Sequence, residues 1–205
     1  ESFETDNNHQ RYICLANAIN HSNDSLSLAE SNYEYSRYLL ENNNIRDGIS
    51  LMISSIALRS RHTRDFFDSE HSLIMIATLA AYYYRIIDQK PELYASYAMN
   101  KMLYEIGAEM YPNSDFIIHR RADIISAATR LWLFNEADSL LTISEKENHK
   151  DRRIENTYAR ALYYYKKGEA ANDINIKAQS KKYFEKLKGT WHWNRFTTLQ
   201  MLQEV

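Results

Sequence analysis

The chain has 205 residues, of which 44% are hydrophobic and 25% are charged, and its formal net charge is −2 at pH 7. This composition is typical of a folded domain with a hydrophobic core, and the small charge argues against bulk attraction to nucleic acid or to anionic membranes. The single cysteine, Cys14, excludes an internal disulfide and a site with several cysteine ligands. Because Cys14 lies in an apolar run, we expect a buried, unreactive thiol.

The chain contains only four glycines and two prolines, too few for the tight turns of a β-sheet protein. The sequence therefore predicts an all-α fold. The most apolar stretch, 72–84, lacks charge for only 13 residues, whereas a membrane-spanning helix needs about 20. We expect no membrane span in this segment.

In chain order, a first helix is predicted over 10–20, and the polar residues after it supply an N-cap for a second helix that runs to about 42. A third helix begins near Asp47. Its predicted buried stripe recurs at helical spacing and consists of Ile49, Met52, Ile53, Ile56 and Ala57. A fourth helix, 69–87, is apolar nearly all round and is expected at the centre of the core.

Pro91 begins a fifth helix that ends before Pro112, and its predicted core stripe is Tyr94, Ala98, Met102, Ile106 and Met110. Gly107 in this helix predicts close approach of a neighbouring helix. Two helices are expected over 115–133 and 135–147. The next has an inner face of Ile154, Tyr158, Ala161, Leu162 and Tyr165 and ends at Gly168. A loop over 169–175 precedes a last full helix over 175–188.

Two segments of the second half are similar to each other. The run 128–137 matches the run 161–170 at a separation of 33 residues, and both end in Glu-Ala after a small or turn residue. The segment 111–115 adds a proline-containing junction. These pieces, within 91–189, resemble the tetratricopeptide repeat, a helix-turn-helix unit of about 34 residues. Turns expected near Asn44, Asp88, Asn135 and Gly168 are 44, 47 and 33 residues apart, so the predicted repeat is degenerate.

The resemblance implies an all-α fold in which antiparallel helix pairs stack as a right-handed α-solenoid like that of tetratricopeptide repeats. We expect one domain over 1–205, with an N-terminal helix and cap over 1–24, helix pairs over 25–189 and a capping tail over 190–205. Members of this family are overwhelmingly interaction scaffolds. The resemblance therefore implies a non-catalytic adaptor or regulatory module that binds a protein or peptide, with no enzyme activity and no cofactor.

In a solenoid, the first helices of successive pairs line a concave groove. With Tyr84 and Tyr165 assigned to the core, the predicted groove residues are Tyr82, Arg85, His119, Ser126, Arg130, Tyr163 and Lys166. This groove is aromatic and basic, which favours an acidic peptide or a C-terminal carboxylate as the ligand. Tyrosine is also a common filler between helices, so a packing role for these rings stays open.

Other interpretations also stay open. The chain could be the small-molecule-sensing domain of a larger bacterial regulator, or a homodimer that uses Trp191 and Trp193. The lysine run 181–188 is more typical of a solvated helix face than of a nucleic-acid site. The residues around His62 and His71 are those of a solvated loop rather than a metal site. The absent Met at position 1 suggests an excised or processed product, and a cytoplasmic location is favoured over a periplasmic one.

Overall fold

The computed structural model describes residues 2–85, 90–112, 114–146, 154–190 and 195–205, and every regular element in these ranges is helical. The α-helices are α1 (Ser2–Asn20), α2 (Ser25–Glu41), α3 (Ile45–His62), α4 (Glu70–Arg85), α5 (Lys90–Met110), α6 (Asp115–Arg130), α7 (Phe134–Lys146), α8 (Ile154–Ala171), α9 (Ile174–Leu187) and α10 (Arg195–Gln203). A short 3-10 turn, Phe66–Asp68, precedes α4. The predicted all-α fold is confirmed.

Contacts between residues divide the chain into two compact units, Glu1–Tyr82 and Tyr83–Val205, which are described separately. A single domain over 1–205 therefore stays a prediction. Trp191 and Trp193, on which the predicted dimer depends, lie outside the described residues, as does Asp88 at one of the expected turns.

In the first unit, α2 packs against both α1 and α3. The predicted N-cap of α2 is confirmed, because a carboxylate oxygen of Asp24 accepts hydrogen bonds from the backbone N–H groups of Leu26 (2.9 Å) and Ser27 (2.8 Å). Polar contacts join α4 to this pair. Glu30 of α2 accepts from His71 of α4 at 2.9 Å and lies 3.5 Å from Arg59 of α3.

In the second unit, α6 packs against α5, α7 and α8, while α9 packs against α8 and α10. One core cluster joins α6, α7 and α8 around Ala128, Ala137 and Tyr163. A second cluster joins α8 to α9 around Leu162 and Phe184, and apolar side chains after α9 pack against it. The first helices of two consecutive hairpins, α6 and α8, thus lie side by side, as successive pairs of a helical repeat do.

Three hairpin turns share one geometry. The residue that reverses the chain has a positive φ in each: Asn43 (64°), Trp132 (64°) and Asn172 (50°). The next residue donates its N–H to the carbonyl five positions earlier, in the bonds Asn44 to Leu39 (2.8 Å), Leu133 to Ala128 (2.8 Å) and Asp173 to Gly168 (2.9 Å). This is the hydrogen-bond pattern of a Schellman-type helix end. It defines α2/α3, α6/α7 and α8/α9 as equivalent helix pairs.

These turns correct the register proposed from the sequence. The equivalent residues Trp132 and Asn172 are 40 positions apart, not the 33 of the match between 128–137 and 161–170. In the structure, Ala137 lies in the first turn of α7, whereas Ala170 lies in the last turn of α8. The local similarity paired a helix start with a helix end, because Glu-Ala suits both positions.

Gly168 does not end its helix as predicted. The helix α8 continues to Ala171, and only Asn172 and Asp173 separate it from α9, so the loop expected over 169–175 is absent. A Cβ atom on Gly168 would lie 2.5 Å from the backbone nitrogen of Lys177. The glycine is therefore required for close packing of α8 on α9. Gly107 has the expected role, since its Cβ would lie 2.7 Å from Ile117 of α6.

The predicted buried face of α5 is wrong, and that of α3 is correct at Met52 but not at Ile53. Ile53 is 44% exposed and Tyr94 is 50% exposed, although both belong to the predicted stripes. In α3, Gly48 and Ser55 are buried beside Met52, and the buried positions of α5 are Leu93, Ser96, Asn100, Leu103 and Gly107. Small residues let helix axes approach closely, and their polar groups are satisfied nearby. The prediction of a buried Cys14 is also wrong, because this thiol is exposed on α1.

Candidate functional site

Polar and aromatic side chains gather in the second unit where α6 and α8 lie side by side. We name this cluster the α6–α8 site; its residues are Tyr84, Arg85, His119, Arg120, Asp123, Arg130, Glu155 and Tyr158. On α6, the helical period places positions 119, 123 and 130 along one side. The end of α4 contributes the first two residues and α8 contributes the last two.

Arg130 connects the end of α6 to the end of α4. Its Nη1 atom donates to the backbone carbonyl of Tyr84 at 2.7 Å, and its guanidinium carbon lies 4.6 Å from the centre of the Tyr84 ring. A cation at the last carbonyls of a helix complements the helix dipole, and stacking on the ring adds to the attraction. Burial raises the pKa of Tyr84, so its hydroxyl stays protonated at neutral pH.

Arg120 is held in place by a hydrogen bond to α5. Its Nη1 atom donates to the side-chain oxygen of Asn100 at 2.7 Å and lies 3.0 Å from the Asp123 carboxylate. Asn100 is itself buried and donates to the carbonyl of Ser96 at 3.0 Å. A guanidinium whose rotamer is fixed in this way loses little further freedom when it binds a ligand.

Asp123 is a carboxylate that α6 contributes to the site. Its side chain is 37% exposed, so solvent and ligands can reach it. Desolvation raises the pKa of Asp123, although Arg120, His119 and Arg85 all act in the opposite direction.

Residues of α6 and α8 meet in the site. His119 Nδ1 of α6 lies 3.9 Å from a carboxylate oxygen of Glu155 on α8, and both side chains are partly exposed. Tyr158 of α8 is buried, and burial together with the nearby Tyr84 raises its pKa well above the usual range. The site thus combines two neutral phenols with charged groups of both signs.

The structure brings together three of the seven residues predicted to line the groove: Arg85, His119 and Arg130. The other four lie elsewhere. Tyr82 is half-buried in the first unit, and Ser126 is buried. Lys166 pairs with Glu169 at 2.7 Å and lies near the ring of Tyr165.

Tyr163 corrects the predicted groove, because it is a core residue with a side chain only 1% exposed. Its helix, α8, is covered on two sides, by α6 and by α9, so both faces of the Tyr-Tyr-Tyr segment are buried. The Tyr163 hydroxyl donates to Asp138 of α7. Burial and this hydrogen bond raise the pKa of Tyr163 to about 12.

Sequence reasoning missed Arg120, Asp123, Glu155 and Tyr158 as site residues. A signal was present for the two on α6, because Asp123 follows His119 by four residues and Arg120 by three, which places them on one helix face. No sequence signal connects α6 to α8 in the correct register, because the repeat match was displaced by seven positions. In the described ranges, no group of three histidine, cysteine, aspartate or glutamate side chains is arranged to hold a metal ion.

The structure is similar to crystal structures of the TPR-like repeats of a putative kinesin light chain from Podosopora anserina. A variant form of these repeats is 13% identical in sequence to this chain, with a TM-score of 0.62. The match covers 85% of this chain and 83% of the variant's chain. Another crystal structure of these repeats is 14% identical and matches 87% and 84% of the two chains, with the same TM-score of 0.62. The sequence matches no protein-family model and no curated protein.

The chain is therefore a TPR-like helical-repeat protein with the fold class of an all-α solenoid. Such folds are generally scaffolds for protein interaction, with extended binding surfaces made by stacked helix pairs. Within the described ranges, no helix combines the length and apolar character that a membrane span requires.

Proposed function

We propose that this protein is a non-catalytic peptide-binding module, and that the α6–α8 site receives a carboxylate of its partner. The ligand carboxylate is the free C-terminus of a peptide. The observation that carries the proposal is the cluster of basic side chains in the site. Arg120 lies 3.0 Å from the Asp123 carboxylate, and Arg85 acts on the same carboxylate. Arg130 donates to the Tyr84 carbonyl at 2.7 Å. Hydrogen bonds between charged groups are stronger where water is excluded.

Each arginine has a separate part in this proposal. Arg120 and Arg130 are fixed by Asn100 and by the Tyr84 carbonyl, so they present guanidinium groups in defined positions. Arg85 lies near enough to Asp123 to lower its pKa. The Asp123 and Glu155 carboxylates repel a ligand that carries only negative charge, and therefore favour a peptide with a nitrogen donor, such as a backbone amide, beside its carboxylate.

The experiment is a binding titration by fluorescence anisotropy with labelled short peptides that end in an acidic residue. Each peptide is prepared with a free and with an amidated C-terminus. We expect binding of the free acid, and a loss of about tenfold or more in affinity in the variant Arg85→Glu/Arg130→Glu. The control variant Arg46→Glu/Arg61→Glu changes the net charge equally at two exposed positions of α3 and is expected to bind normally.

Equal loss in both variants would mean a non-specific charge effect and would contradict the proposal. A dicarboxylate metabolite that binds the site more tightly than any peptide would instead indicate a small-molecule sensor. Melting temperatures of the variants establish that each is folded, which matters because Arg130 also holds the end of α4.

A further inference from the structure

The outward face of α9 carries an unbalanced positive charge. Residues 174–190 contain five lysines and one glutamate, in a chain whose net charge is −2. Four of these lysines form what we name the lysine face: Lys181, Lys182, Lys186 and Lys188, all of them exposed. Lys182 and Lys186 lie on the side of α9 opposite the buried residues Phe184 and Leu187. Lys181 lies at the edge of this side, next to the exposed Glu185, and Lys188 follows the end of the helix.

Three lysines elsewhere in this unit, Lys101, Lys166 and Lys167, form ion pairs with carboxylates, which among the described residues the lysine face does not. Lys101 pairs with Glu136 at 2.9 Å, and Lys167 pairs with Asp138 at 2.9 Å. Among the described residues, no carboxylate lies within ion-pair distance of Lys182, Lys186 or Lys188. Charge complementarity on this face is therefore left for a partner to supply.

Two of the ammonium groups lie near the same tyrosine ring. The nitrogens of Lys182 and Lys186 lie 5.9 and 5.8 Å from the centre of the Tyr183 ring. Tyr183 in turn stacks on Tyr164 of α8, with ring centres 5.7 Å apart and an angle of 10° between the planes. Packing of the lysine stems on a fixed ring reduces the freedom that they would lose on binding.

We infer that the lysine face is a second docking surface, and that its partner is an acidic polypeptide segment. Lys182 and Lys186 are one helical turn apart, a separation that suits carboxylates four residues apart on a partner helix. Single-stranded nucleic acid is disfavoured, because bases need an open aromatic face on which to stack, whereas the Tyr183 ring is stacked on Tyr164 and flanked by lysines. The inference does not depend on the α6–α8 site.

The test is an anisotropy titration with a labelled oligoglutamate whose C-terminus is amidated, so that side-chain carboxylates alone can be recognised. An oligothymidylate of equal length is the comparison probe. We expect the wild-type protein to bind the peptide more tightly than the oligonucleotide, with an affinity that falls as ionic strength rises. Lys182→Glu/Lys186→Glu should lose about tenfold or more in peptide affinity, while Lys182→Arg/Lys186→Arg should keep it.

Two further variants separate this proposal from the proposed function. Arg85→Glu/Arg130→Glu and Arg46→Glu/Arg61→Glu should both bind oligoglutamate as the wild type does. Loss of binding in Arg85→Glu/Arg130→Glu with retention in Lys182→Glu/Lys186→Glu would assign the peptide to the α6–α8 site and overturn the inference. Tighter binding of the oligonucleotide, or no measurable peptide binding by the wild type, would also overturn it.

Discussion

At the scale of single residues, one of the three hairpin turns has an unusual residue at its position of positive φ. Asn43 and Asn172 have positive φ values, and asparagine tolerates this region better than most residues with a side chain. The equivalent residue of the third turn is Trp132, with a φ of 64° and a side chain 52% exposed. A bulky residue in this conformation carries backbone strain. Packing of the indole ring offsets part of this strain, although the ring is only partly buried.

Replacement of Trp132 should therefore depend on the backbone preference of the new residue. Trp132→Asn and Trp132→Val both remove the indole and its edge-to-face contact with Phe134. Because valine is branched at Cβ, it is the less tolerant of the two at positive φ. We expect the asparagine variant to have a free energy of unfolding greater by about 1–2 kcal/mol than the valine variant. Urea unfolding of the two proteins measures this difference, and equal stabilities would refute the strain.

Replacement of Gly168 by alanine is predicted to destabilise the protein, although helix propensity alone would predict stabilisation. In a free helix, glycine to alanine is stabilising by about 1 kcal/mol. Here the new Cβ would lie 2.7 Å from the Cα atom of Lys177, so α9 would have to move away from α8. We expect Gly168→Ala to lower the free energy of unfolding by about 1–3 kcal/mol. A variant more stable than the wild type in chemical denaturation would show that the two helices are not so closely packed.

At the scale of helices, the sequence predicts where the helices lie in the chain better than which of their faces are buried. The apolar periodicity and the N-cap at Asp24 were sufficient to predict most helices to within a few residues. The buried face of α5 could not be predicted, because close packing selects Ser96, Asn100 and Gly107 over the bulkier apolar residues beside them. Hydrophobic periodicity does not detect a helix interface built from small residues and satisfied polar groups.

The same limit applies to the predicted groove. Arg85, His119 and Arg130 were assigned to it by their position relative to Tyr84 and Tyr165, and the structure places these three in the α6–α8 site. Tyr163 was misplaced because α8 is buried on two sides, which only the neighbouring helices reveal. The contribution of α8 to the site required the register of the repeat, which depends on three turns that have no sequence motif in common.

The contact between α5 and α7 is expected to make the stability of the protein depend on pH. The hydrogen bond from Tyr97 to Glu136 holds the pKa of Glu136 below its usual range, and Lys101 at 2.9 Å adds to this effect. A lowered pKa in the folded protein stabilises it above the ordinary pKa of glutamate, and this contribution disappears as the pH falls through the folded-state pKa.

Glu136→Gln should therefore lower the free energy of unfolding at pH 7 by about 0.5–1 kcal/mol, and the difference from the wild type should vanish in acid. Glu105→Gln, at an exposed position of α5, is the control and should change little. Thermal unfolding from pH 7 to pH 3 checks the prediction. A difference that persists unchanged at low pH would contradict the role of the Glu136 charge.

At the scale of the whole molecule, helix pairs with equivalent turns occur in both units, as α2/α3 in the first and as α6/α7 and α8/α9 in the second. The similarity to TPR-like repeat structures at 13% and 14% identity shows that the fold persists with little sequence in common. The second unit carries both proposed surfaces: the α6–α8 site and the lysine face of α9. Occupation of both would hold two segments of partner proteins at once.

The most direct test of the central claim is hydrogen–deuterium exchange of the whole chain with and without a peptide that has a free, acidic C-terminus. If the α6–α8 site is the binding site, exchange will slow in α6 and in the first half of α8 when the peptide is added, and the amidated peptide will have no such effect. Protection that is confined to other helices, or that is identical for the two peptides, would contradict the account.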